Sequence, residues 1–114
     1  MPLPEFTKKL VEVKLSEYCL NRVPANVRGE VKLIFKISGI KVTLIETRPY
    51  HLDPTVWTEQ PVAQFRFDNV NNKWLLYSLD HHDRWYLYDL IQPSAIFEDL
   101  LAELDRDPTG LFWG

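Results

Sequence analysis

Glu46 and Arg48 are the residues of this chain best placed to do chemistry. They sit two apart in Ile40–Arg48, I-K-V-T-L-I-E-T-R, and an extended strand carries both on one face. Val31–Ile37 precedes this segment across Ser38-Gly39. A two-residue turn there pairs Ile37 with Ile40, Phe35 with Val42, Leu33 with Leu44 and Val31 with Glu46. The shared face is apolar until Glu46 and Arg48, so the pair is expected at the end of a buried face, where both charges need partners. A guanidinium fork fits a small anion or a peptide carboxylate. A structural ion pair at the sheet edge is the plainer reading.

Other polar groups offer less. Glu30, Glu46 and Arg48 together have the acidic–x–basic order of a metal-dependent nuclease strand. That chemistry needs a further acidic residue and usually a Lys to activate water; Arg48 stays protonated and is no base. His81 and His82 share a turn with Asp80 and Asp83, and His51 lies near Asp53. Neighbouring residues on a turn point apart, so these read as solvated loops rather than metal ligands. No Gly-rich phosphate loop, serine triad or zinc spacing is present. Tyr77, Tyr86 and Tyr88, with Arg66, Lys73 and Arg84, form a strand-face pattern that would stack single-stranded bases. A covered or dimer-buried sheet face has the same pattern. The candidate binding residues are therefore Glu46, Arg48, His51, Asp53, Trp57, Arg66, Tyr77, Arg84, Tyr86 and Tyr88. No catalytic residue, metal or cofactor is assigned.

Composition bounds the function. The 114 residues fit a single domain, 1–114. A hydrophobic content of 46% is that of a folded chain. The net charge of −3 argues against nonspecific duplex binding, which needs a basic surface. Basic residues Lys8, Lys9 and Lys14 lie early; Glu98, Asp99, Glu103, Asp105 and Asp107 lie late. Cys19 is the only cysteine, so no internal disulfide forms. It reads as a small hydrophobe on a helix face. Without a signal-like or membrane-spanning run, a reducing cytoplasm is the expected compartment.

The elements follow from periodicity. Glu5 to about Leu20 reads as a helix capped by Thr7, with Leu10, Val11, Leu15, Tyr18 and Cys19 as its stripe. Residues 21–29 read as a loop. Glu30–Ile37 and Ile40–Arg48 form a hairpin whose other face, Lys32, Lys36, Lys41, Thr43 and Thr47, faces water. Pro49 ends the second strand, and Tyr50–Gln60, framed by Pro49, Pro54 and Pro61, reads as a long connection. Val62–Asp68, Lys73–Leu79 and Arg84–Leu90 read as strands. The turns at Asn69–Asn72 and Asp80–Asp83 pair Asp68 with Lys73, Leu79 with Arg84 and Tyr77 with Tyr86. This places Tyr77, Tyr86 and Tyr88 on one face. Ser94 caps a last helix with the stripe Ile96, Phe97, Leu100, Leu101 and Leu104. Asp107-Pro108 stops it. The apolar end, Leu111-Phe112-Trp113, either tucks into a groove or docks on a neighbour.

Several strings carry a resemblance: Glu46-Thr-Arg48-Pro49, Asp53-Pro54, Pro61-Val62-Ala63-Gln-Phe65, Trp74-Leu-Leu-Tyr77, Arg84-Trp85, Asp107-Pro108 and Phe112-Trp-Gly114. In order and spacing they resemble a bacterial family, domain of unknown function 3024, over nearly the whole chain. Members more often have two Phe before the final Gly, where this chain has Trp113. They also often have His after the fifth-strand Trp, where this chain has Tyr86. The resemblance implies an uncharacterised small protein and no mechanism.

The expected fold is α+β: a curled antiparallel sheet of about five strands between an N-terminal and a C-terminal helix, in the order α-β-β-β-β-β-α. The expected role is a non-enzymatic binding or interaction module, using the aromatic sheet face or the Glu46–Arg48 region. Single-stranded nucleic-acid binding and a hydrolase centred on Glu30, Glu46 and Arg48 are the alternatives. Apolar surface on the second meander face and the tail points to a homodimer.

Overall fold

The structure is a computed structural model describing residues 2–113. Its elements are α1 (Glu5–Arg22), a short 3-10 helix (Ala25–Val27) within the expected loop, β1 (Lys32–Ser38), β2 (Lys41–Tyr50), β3 (Asp53–Asp68), β4 (Lys73–Leu79), β5 (Trp85–Leu87) and α2 (Phe97–Arg106). The five strands form one antiparallel sheet in sequence order. This is the expected α+β architecture.

Both helices lie against one face of the sheet. Alternation turns Val42, Leu44, Phe65, Phe67, Trp74 and Leu76 to that face, where they join Val11 and Leu15 of α1 and Phe97, Leu100 and Leu104 of α2 in one buried cluster. Phe97 supplies the aromatic centre, with ring centroids 4.9 Å from Phe65 and 5.0 Å from Trp74. The expected α2 stripe is buried apart from Ile96, which is exposed and precedes the helix. On α1, Val11 and Leu15 are buried while Leu10 faces outward.

Three local expectations are corrected. The first hairpin turns at Gly39-Ile40, so Leu33 faces Glu46 and Phe35 faces Leu44. Gly39 has φ 61, and glycine at the first turn position gives a type II′ turn; the Ser38-Gly39 alternative would force Ser38 to positive φ. The slip is two residues in pairing sum, so the faces survive.

Tyr50–Gln60 is strand, not loop. β2 and β3 form a long hairpin with Tyr50 paired to Asp53. Pro49 lies beyond the start of β1, and Pro54 lies beyond the part of β3 that pairs with β4, so their missing N–H groups cost no ladder bond. Pro61 sits at a bulge where Leu44 pairs with Ala63 but Ile45 pairs with Pro61. The outer part of this hairpin is a two-stranded ribbon whose residues 52–60 are all exposed.

The β4–β5 hairpin pairs Tyr77 with Leu87 and Ser78 with Tyr86, one residue away from expectation. Asp80 N–H donates to Arg84 O at 2.9 Å, so the loop has three residues. Asp83, at φ 60, takes the left-handed position such loops use. An odd slip reverses a face. Tyr86 and Tyr88 thus lie on the opposite face from Tyr77. Tyr88 is buried in the core and donates to Glu103 at 2.6 Å.

The helix starts also differ. α1 begins at Glu5 after Pro4, with no side-chain cap from Thr7. Ser94 is a bridge residue beside β4, exchanging backbone bonds with Trp74 at 2.7 and 3.1 Å. Its hydroxyl donates to Asp99 at 2.7 Å.

Candidate functional site

The Glu46–Arg48 pair forms as an ion pair at the surface. Arg48 Nε donates to Glu46 Oε1 at 2.7 Å, with side-chain exposures of 62% for Arg48 and 25% for Glu46. The face is therefore not sealed at this end, which corrects the expected burial: Glu46 still pairs with Leu33, but β1 begins at Lys32 opposite Thr47, so Arg48 lies beyond it on the ribbon. Glu46 holds the Arg48 guanidinium proton more tightly than usual. The pair lines a pocket of about 250 Å³ with Gln60, Asp80, Phe112 and Trp113. Each carboxylate there already has an arginine, since Arg84 Nε lies 3.5 Å from Asp80 Oδ2. Asp80 also accepts the backbone N–H groups of Arg84 and His82 at 2.8 Å each, which hold its carboxyl below the usual carboxylate range. Both acids are engaged structurally, and Glu30 is an exposed residue ahead of β1.

The tail closes this pocket. Asp107, left-handed at φ 38 after α2, accepts the N–H groups of Phe112 at 3.2 Å and Trp113 at 2.8 Å. Trp113 Nε1 donates to Leu104 O at 3.0 Å, and Arg22 stacks on its indole at 4.4 Å. Phe112 is buried against Tyr88. The tail thus tucks into its own chain.

Among the described residues, the other sheet face carries no helix. Alternation places Lys32, Ile34 and Lys36 of β1 there, then Lys41, Thr43, Ile45 and Thr47 of β2. Across the β2–β3 and β3–β4 pairings, Trp57, Glu59, Gln64, Arg66, Lys73, Leu75 and Tyr77 share it. Its centre is a set of linked side chains. Gln64 Nε2 donates to Thr43 Oγ1 at 3.0 Å, and Arg66 Nε donates to Gln64 Oε1 at 2.7 Å. This lays the Arg66 guanidinium on Tyr77, 3.8 Å from the ring centroid. Lys41 pairs with Arg66 across the strands and has no ion pair among the described residues. A groove of about 470 Å³ beside the stack is lined by Lys41, Arg66, Asp68, Asn69, Leu75 and Tyr77. Farther along, Lys32 Nζ sits 4.7 Å above Trp57, and Lys36 pairs with Glu59 at 2.9 Å. Thr47, expected in water, is covered and donates to Lys32 O at 3.3 Å.

Of the ten candidate residues, Arg66 and Tyr77 meet on this face, and Trp57 shares it at the far end of the β2–β3 pairing. Glu46, Arg48 and Arg84 lie around the tail pocket. His51 and Asp53 sit at the ribbon tip, where His51 packs edge-on against Tyr50 at 4.9 Å and Asp53 accepts from Thr55. His81 and His82 do not point apart: their rings approach to 3.9 Å. No group of three or more His, Cys, Asp or Glu residues suited to a metal ion occurs among the described residues. Cys19 is half-buried, and burial pushes its thiol up to about 11. Lys41 escaped selection because a lone lysine on a water-facing strand signals nothing until its cross-strand neighbour is known.

No helix of the described residues is long and apolar enough to cross a membrane. Neither the curated proteins nor the solved structures contain a match. One family model, Domain of unknown function (DUF3024), matches residues 3–114, the span that holds every element described above, and the chain belongs to that family.

Proposed function

We propose that this chain is a non-enzymatic binding module that takes single-stranded nucleic acid on the helix-free face of its sheet, centred on Arg66 and Tyr77. The observation that carries this reading is the Arg66–Tyr77 stack beside Lys41, on a groove of about 470 Å³. A guanidinium held flat on a ring presents its outer plane to a base, and a neighbouring ammonium answers the phosphate. Charge segregation supports it within a chain of net charge −3. The face carries Lys32, Lys36, Lys41, Arg66 and Lys73; among them lie Glu59, paired with Lys36, and Asp68, which caps its own turn. The acidic residues of α2 lie on the other side of the sheet.

Fluorescence anisotropy with a labelled oligothymidine and a matching duplex tests it. The single strand is expected to bind more tightly, with log affinity falling against log salt by roughly 0.7 per phosphate contacted. Arg66→Ala is expected to weaken binding by about 1–3 kcal/mol, the worth of one stacked base. No binding at low salt, or binding that Lys41→Glu and Arg66→Ala leave unchanged, overturns the proposal.

A further inference from the structure

α1 is apolar on two opposite sides. Val11 and Leu15 face the core, while Phe6, Leu10, Val13 and Leu20 are 80%, 37%, 56% and 56% exposed. At 3.6 residues per turn these four fall on one stripe, turned away from the core. With Glu17 the spacing is 4-3-4-3, a mean of 3.5, which is the repeat of a helix lying along another helix.

Two further features sit at the ends of this stripe. Phe6, at one end, is the most exposed apolar residue of the helix. At the other end, a groove of about 460 Å³ opens between α1 and β1, lined by Cys19, Leu20, Val23, Leu33 and Phe35. Leu20 belongs to both the stripe and the groove. A bulky apolar knob and an apolar hole at opposite ends of one helix are self-complementary under a two-fold axis. With the axis at Val13, Phe6 of a second copy lies over Leu20, at the mouth of the groove.

Charge fixes the direction. In a parallel pair, Glu17 would face Glu17 of the second copy. In an antiparallel pair it faces Leu10 of the second copy, next to that copy's Lys9, and the helix dipoles oppose. β1 borders the groove that Leu20 also lines. It is an edge strand, and counting from its two-residue turn leaves the backbone groups of Leu33, Phe35 and Ile37 pointing outward. An 18-residue helix is about 27 Å long. Alone it buries less than the roughly 800 Å² per partner of a stable interface, and the groove and the strand edge extend it toward that size. We infer that two copies of this chain pair through antiparallel α1 helices, with Phe6 of each entering the α1–β1 groove of the other.

Sedimentation equilibrium at micromolar concentration is expected to give the dimer mass. Val13→Glu sets two carboxylates together at the axis and is expected to raise the dimer dissociation constant at least about tenfold. Its helical signal should stay unchanged, and its urea midpoint should equal that of the unaltered chain diluted to monomer, because Val13 faces away from the core. Single-cysteine proteins in a Cys19→Ser background read the geometry. Val13→Cys is expected to cross-link to itself on oxidation. Phe6→Cys should cross-link with Leu20→Cys in a mixture, but not with itself. A monomer mass for the unaltered chain, or a dimer that Val13→Glu leaves intact, overturns the inference. Self-cross-linking of Phe6→Cys would mean a parallel pair and also overturns it. Lys41→Glu, on the far side of the sheet, should leave the mass unchanged, which keeps this test separate from nucleic-acid binding.

Discussion

Tyr88 and Glu103 form the most consequential polar contact in the molecule. Tyr88 is 4% and Glu103 7% exposed, and the phenol donates to the carboxylate at 2.6 Å. Arg106 reaches the other oxygen at 3.5 Å. Burial, reinforced by Glu103, pushes the phenol from 10.0 up to about 12. The folded chain therefore holds this proton where the unfolded chain releases it. Stability from this source is complete below pH 10.0 and falls as pH rises toward about 12. Tyr88→Phe is expected to cost about 1–3 kcal/mol at neutral pH, because it removes a donor from a buried carboxylate, and to make the alkaline fall shallower. Urea unfolding across that range measures both. Some fall remains, since burial and Asp105 also raise Tyr18. Arg48 makes the contrast. Its pair with Glu46 is solvated, so Arg48→Ala is expected to cost no more than about 1 kcal/mol. A loss of several kcal/mol would mean that Glu46 is sealed from water.

At the level of elements, single backbone positions decide which face a side chain takes. Asp83 at φ 60 shortens the β4–β5 loop to three residues and sends Tyr88 into the core. A β-branched residue tolerates that conformation poorly. Asp83→Val is expected to lower stability by about 1–2 kcal/mol, while Asp83→Gly should be neutral or slightly stabilising. Paired urea curves separate the two; equal midpoints would mean the loop relaxes to another form. The prolines act by the same logic in reverse. Pro49 and Pro54 interrupt no sheet bond because their neighbours β1 and β4 are absent there.

For the whole molecule, the layering sets both chemistry and closure. Helices on one side leave the cationic sheet face open, and the tail seals the end of the core beside Tyr88. Phe112 is 8% exposed and within 5.1 Å of the Tyr88 ring. Phe112→Ala is expected to destabilise by about 3–5 kcal/mol, as a buried aromatic deletion does. Oligomeric mass should not change, because the tail packs within its own chain. A change of mass without loss of stability would place the tail in an interface instead.

Local periodicity settled much of this in advance. Alternation in Val42–Leu44 and Phe65–Phe67, and the 3.6-residue stripe in Phe97–Leu104, depend only on neighbouring side chains, so the element types and most of the core were legible in the sequence. Three things were not. Proline usually breaks a strand, and only the absent neighbours of the β2–β3 ribbon show why Pro49 and Pro54 do not. A one-residue difference in loop length reverses a strand, and the left-handed turn at Asp83 that fixes it is stabilised by Asp80 across the hairpin. The meaning of Arg48 and Arg66 also waited on tertiary structure. Both stood on strands beside apolar residues, yet one ends at a solvated ribbon and the other lies on a tyrosine over an open sheet, because the helices chose the opposite face.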